Sequence, residues 1–125
     1  MNITKIFLSY TLRDIRLNTN ILKEFKSKLG QISNIHVYVD ILDNKNTLDH
    51  QGEVYSQLDH ADVFWKINSE QYDSSAWAVK ELCIAQKCNK PIFILEMNDI
   101  YTIINSPSPL HLEESVKRFL PQKNH

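Results

Sequence analysis

The sequence predicts an α/β fold: a flavodoxin-like open parallel sheet of four to five strands with helices on both faces. Three observations predict it. Short runs rich in β-branched and aromatic residues recur along the chain: KIFLSY (5–10), HVYVD (36–40), DVFWKIN (62–68) and PIFIL (91–95). Three of these four are nearly unbroken apolar runs, as expected of strands buried on both faces. Helical patterns alternate with them, and strand–helix units in succession give a parallel sheet with right-handed crossovers.

Taken in order, MNITKIFLSY carries one lysine before a short apolar run, and no small-residue cleavage site follows. It reads as a core strand rather than a signal peptide. A helix of about 15 residues comes next, with Leu17, Ile21, Leu22, Phe25 and Leu29 within ~140° of arc at 100° per residue. Gly30 is placed to stop it. After the second strand, EVYSQLDHA (53–61) lines up Val54, Leu58 and Ala61 on one stripe. SSAWAVKELCIA (74–85) opens a helix expected from Ala76 to Cys88, and Pro91 starts the fourth strand. In the short C-terminal region (96–125), IYTII (100–104) is a candidate fifth, edge strand. SPSP (106–109) is a turn, and LHLEESVKRFL (110–120) a closing amphipathic helix. The whole chain, 1–125, reads as one domain.

Composition narrows the function. Apolar residues make up 42%, charged residues 23%, and the net charge is −1, the profile of a soluble globular chain. Nucleic-acid binders usually show a clustered basic excess, which is absent here, so no nucleic-acid partner is expected. No segment approaches the ~18–20 apolar residues of a spanning helix, so no membrane partner is expected either. Cys83 and Cys88 sit close together on one predicted helix, poorly placed to bridge each other. They read as buried or half-buried thiols in a reduced, cytoplasmic setting.

Several chemistries are ruled out. With two glycines, Gly30 and Gly52, the chain cannot carry a GxGxxG fingerprint, a GxxxxGK[ST] phosphate loop or a GxSxG elbow. The acidic stretch DILDNKNTLDHQGE (40–53) fails as an EF-hand, because Lys45, Thr47 and Leu48 fall where two ligands and a glycine belong. The five histidines show no zinc spacing, so no metal is expected.

In open parallel sheets, sites form at the carboxyl ends of the strands, where strand order reverses. That points to Ser9 and Tyr10, Tyr38 to Asp40, Asn68 and Ser69, and the loops after them. Trp77 and Glu81 open the helix that follows the third strand. On a helical wheel with Trp77 at zero, Ala85, Ala78, Leu82 and Val79 at ~80–200° define the core stripe. Lys80 and Lys87 lie on the solvated side, and Trp77 with Glu81 at ~40° sits on the flank between. The plain reading is an indole tucked over the sheet edge and a glutamate paired with a lysine. Alternatively, a flat aromatic and a carboxylate can hold a cationic ring and the sugar beside it.

Over nearly its whole length the sequence resembles the TIR (Toll/interleukin-1 receptor) domain family. FLSYTLRD (7–14) is similar to the family's first strand ending in Ser-Tyr, with an acid soon after. VYVD (37–40) is similar to its second strand, ending in Asp. DVFWKINSEQYDSSAWAVKELCIA (62–85) resembles its third strand, a short loop and an S-x-W-x-x-x-E-L helix, and PIFIL matches the fourth strand. Departures are Trp65 and Lys66 in the third strand, Ala78 where a cysteine is usual, and an Asn-rich loop after Asp40 with its glycine late, at Gly52.

The resemblance, to stand-alone bacterial NAD-cleaving members, implies that Glu81 is catalytic and that Trp77 lines the nicotinamide side of a pocket. It places Tyr10 and Arg13 beside the nucleotide, Tyr38 at the pocket wall and Ser9 as a polar contact. NAD is then the substrate and no cofactor is needed. The expected activity is NAD glycohydrolase or ADP-ribosyl cyclase chemistry in anti-phage defence, with self-association through other TIR domains and a separate effector sensing the product. The competing expectation is a non-catalytic TIR adaptor that acts only by homotypic contacts.

Overall fold

The computed structural model describes residues 2–122. Four strands, β1 (Thr4–Ser9), β2 (Ile35–Tyr38), β3 (Val63–Ile67) and β4 (Ile92–Leu95), form one all-parallel sheet in the order β2-β1-β3-β4. The expected open parallel sheet is present, with four strands among the described residues. No helix among those residues is long and apolar enough to cross a membrane.

Alternation along β1 divides the core between two faces. Ile6 and Leu8, with Val63, Trp65 and Ile67 of β3, meet α1 (Thr19–Leu29), α5 (Met97–Ile104) and α6 (Pro109–Lys117). Phe7, with Tyr38 and Phe64, meets α3 (His50–His60) and α4 (Ala76–Lys87). The rings of Phe7 stack on both Tyr38 and Phe64, at 5.6 and 5.7 Å between centroids. Trp65 is fully buried on the first face, and its indole N–H donates to the Phe119 carbonyl at 2.7 Å. That bond accounts for the unusual tryptophan in the third strand: it fastens the end of the chain to the middle of the sheet.

Local chemistry sets the helix ends. Asn18 caps α1 by accepting the Ile21 N–H. Leu17 precedes the helix rather than belonging to it, and is buried in the same cluster as Leu22, the positions of a hydrophobic staple. Gly30 does end α1, though with a right-handed φ of −62°, so its role there does not depend on left-handed freedom. The left-handed terminus is at Asn89, φ 56°, after α4. There Asn89 N–H bonds to Gln86 O and Lys90 N–H to Ala85 O, a Schellman closure with asparagine in place of glycine. Asp49 caps α3 by accepting the Gly52 N–H at 3.0 Å. A Cβ at Gly52 would lie 2.1 Å from the Asp49 carboxylate, so the late glycine makes room for that cap.

The IYTII segment is not an edge strand. It is the body of α5, whose Met97, Ile100 and Ile103 are buried at helical spacing. Asp99 accepts the Glu96 N–H at 2.7 Å and starts the helix one residue after β4 ends. Its β-branched residues favour a strand only when the buried Met97 upstream is left out of the pattern. Beyond β4, nothing among the described residues pairs with its outer side, and Ile94 there is 54% exposed.

Candidate active site

Strand order reverses between β1 and β3, and the helices that follow these two strands cover opposite faces of the sheet. Ser9 ends β1 at this point and is fully buried. After β3 the chain makes a 3-10 turn, Tyr72–Ser74, before α4 begins. Tyr72 N–H bonds to Ser69 O, and Ser75 N–H bonds to Tyr72 O, which turns the Tyr72 ring inward. Ser75 then caps α4 by accepting the Ala78 N–H.

The buried stripe of α4 consists of Ala78, Glu81 and Ala85. Glu81 therefore lies within the core-facing arc, not on its flank, and is 5% exposed. The wheel was misjudged because hydropathy places a glutamate at an edge by default, whereas here hydroxyl groups receive it. Trp77, one turn earlier, is 37% exposed. Carboxyl and indole thus stand at the carboxyl-end rim of the sheet, the acid buried and the ring partly exposed.

One hydroxyl meets the acid, and two further contacts extend behind it. Ser9 Oγ lies 2.8 Å from Glu81 Oε1 and 2.8 Å from Tyr72 Oη. Tyr72 Oη in turn donates to the Ala78 carbonyl at 3.1 Å. Burial pushes the Glu81 carboxyl up to about 8. A hydrogen bond from Ser9 to the ionised carboxylate opposes that rise, the negative charge of Asp40 adds to it, and the Trp77 indole opposes it. Burial also raises Tyr72, and the Lys66 ammonium sits 4.6 Å from the centre of its ring. Lys66, the other departure in the third strand, thus packs against the residue that supports Ser9.

The remaining expected residues surround this centre unevenly. The Trp77 ring lies 6.0 Å from that of Tyr55, and the Lys80 ammonium faces both rings. This aromatic pair already meets a cation. Tyr10 is half-buried against the opposite core, with its hydroxyl accepting the Ile41 N–H at 2.9 Å. Burial raises its pKa. Tyr38 is buried on Phe7, its hydroxyl donating to Asp40 Oδ1 at 2.8 Å, so it reaches the rim through Asp40. Asp40 opens the short helix α2 (Asp40–Asp43) and also meets His50 Nε2 at 3.2 Å. Arg13 is exposed, and its guanidinium makes no ion pair among the described residues. The acid that follows it, Asp14, accepts the N–H groups of Arg16 and Glu70 and so ties the loop after β1 to the loop after β3.

Tyr72 escaped the sequence reading. Its signal is a lone aromatic in the otherwise polar stretch from Asn68 to Ser75. The two cysteines differ from expectation, since both are exposed. Farther along α4, towards its C-terminal end, Tyr55, Leu58, Ile84 and Cys88 line an apolar groove of ≈ 430 Å³.

Chemically, a buried carboxyl group beside a hydroxyl that is itself bonded to a second can accept or donate hydrogen bonds to a hydroxylic ligand, and the adjacent indole can stack on a flat ring. Compared with models of known families and with curated proteins, the chain matches none.

Proposed function

We propose that the protein cleaves the bond between nicotinamide and ribose in NAD, as a TIR-type enzyme. The observation that supports this most is Glu81, buried against Ser9 at the point where strand order reverses, with Trp77 half-open one turn before it. Nicotinamide leaves readily because its ring nitrogen is already cationic, so no general acid need protonate it. Trp77 stacks on the ring. Glu81 accepts hydrogen bonds from the ribose hydroxyls and stabilises positive charge as it develops at the anomeric carbon. A cationic ring bound beside the carboxyl favours its ionised form, so the substrate draws out the charge state that the chemistry uses. Arg13, exposed and unpaired among the described residues, is available to the pyrophosphate.

Water reaching the anomeric carbon gives ADP-ribose, and an adenine nitrogen reaching it gives a cyclic product. In this reading the product serves a separate effector in bacterial anti-phage signalling, in the cytoplasm. The test is purified protein incubated with NAD and resolved by chromatography. Wild type releases nicotinamide and Glu81→Gln does not. No release by wild type, at concentrations that drive self-association, overturns the proposal.

One observation favours the adaptor reading. Leu48, in the loop between α2 and α3, is 98% exposed, and Ile41 nearby is 45% exposed. Apolar groups presented this way suit contact with another copy. Sedimentation of wild type against Leu48→Asp, alongside the NAD assay, separates assembly without turnover from assembly that serves it.

A further inference from the structure

We infer that Tyr72 is a positioning residue that acts on Glu81 through Ser9, and that the three side chains form a chain of hydrogen bonds built to hold Glu81 as the uncharged acid in the free protein. The inference concerns the free protein and stands whatever substrate the site takes.

The argument is a count of protons. Three contacts run in series: Glu81 Oε1 to Ser9 Oγ at 2.8 Å, Ser9 Oγ to Tyr72 Oη at 2.8 Å, and Tyr72 Oη to the Ala78 carbonyl at 3.1 Å. The last oxygen is a carbonyl and can only accept, so it fixes the direction of the chain. Tyr72 gives its single proton to Ala78. With Glu81 protonated, Ser9 gives its single proton to Tyr72 and the acid gives its own to Ser9; with Glu81 ionised, Ser9 donates to the carboxylate instead. With Glu81 ionised, two hydroxyl protons face three short contacts, and one pair of buried oxygens meets without a proton.

Burial makes that deficit matter. Ser9 is 0% exposed, Tyr72 1% and Glu81 5%, so solvent does little to make up the missing proton. The surrounding charges act in the same sense. Asp40 is the ionised group that bears on Glu81, and it disfavours a second negative charge. Tyr10, Tyr55 and Tyr72 are the other titratable groups near enough to feel the Glu81 charge. Asp73 and Cys83 lie near enough to act on Tyr72, the Lys66 ammonium lies over the Tyr72 ring, and the Lys80 ammonium faces Trp77 and Tyr55. None of the lysines forms an ion pair with Glu81 among the described residues.

The experiment follows the Glu81 carboxyl carbon by NMR through a pH titration of the full chain, the signal being assigned by its loss in Glu81→Gln. Wild type is expected to titrate near 8. Tyr72→Phe removes the hydroxyl that takes the Ser9 proton, so Ser9 donates to the carboxylate without loss and the midpoint falls by at least about one pH unit. In a Ser9→Ala background, Tyr72→Phe is expected to have no such effect, because the link is gone. Three results overturn the inference: a wild-type midpoint in the ordinary glutamate range, a Tyr72→Phe midpoint that stays or rises, or an equal fall in the Ser9→Ala background. A fluorotyrosine at position 72 of the otherwise native chain covers the case in which a variant fails to fold. Its fluorine signal should titrate with the Glu81 midpoint, and a flat signal through that transition overturns the inference. None of these readouts involves NAD, so failure here and failure of the proposed activity remain distinguishable.

Discussion

The hydroxyl of Ser9 and the carboxyl of Glu81, 72 positions apart in the chain, meet at 2.8 Å. Packing of α4 on the β1 side of the sheet brings them together, so the contact exists only in the folded protein. An acid received by a hydroxyl rather than by a cation keeps its burial penalty, and this is why its proton is held so firmly.

That penalty makes stability depend on pH. The Glu81 carboxyl is raised from 4.5 to about 8 on folding. Below the lower value both states hold the proton, and between the two values only the native state does. Stability contributed by this group is therefore complete at acid pH, declines as pH rises through the window, and levels off above it. Melting temperatures of wild type and Glu81→Gln measured across this range should diverge in that direction, with the variant lacking the decline. Parallel curves contradict the assignment.

Trp77 should matter for binding more than for folding. Its ring is 37% exposed, so Trp77→Ala removes little core. The variant should melt close to wild type while KM for NAD rises by roughly tenfold, the worth of one stacked cationic ring. Steady-state kinetics beside a thermal melt checks both halves.

Trp65 should behave in the opposite way. Trp65→Phe keeps much of the ring's packing but leaves the Phe119 carbonyl without its donor. A loss of about 1–3 kcal/mol is expected in denaturant unfolding, with no change in turnover by the surviving folded fraction.

Asn89 holds a left-handed backbone at φ 56°. Asn89→Ala should destabilise by about 1 kcal/mol and Asn89→Gly should not, because only glycine and asparagine enter this region at low cost. Urea midpoints of the two variants give the comparison.

The strands and most helices were legible because their signals are local: apolar runs such as FLS and VFW, and Leu22 to Leu29 at helical spacing. Helix α5 was misread because Ile100, Ile103 and Ile104 favour a strand by type and a helix by position, and the buried Met97 with the Asp99 turn decides between them. The inward turn of Glu81 lay beyond any local pattern. It depends on two hydroxyls, one from β1 and one from the 3-10 turn, and a single-helix wheel contains neither. Tyr72 was missed for the same reason, since its importance is what it touches.

The outer side of β4, unpaired among the described residues, bears on any association between copies of this protein. The strand is four residues long, preceded by Pro91 and followed directly by the turn into α5. So brief a border offers an incoming chain few free amides and carbonyls on which to zip. Growth by adding strand to strand into ribbons or fibrils is disfavoured, and any higher-order array must be cemented by loops and helix surfaces instead.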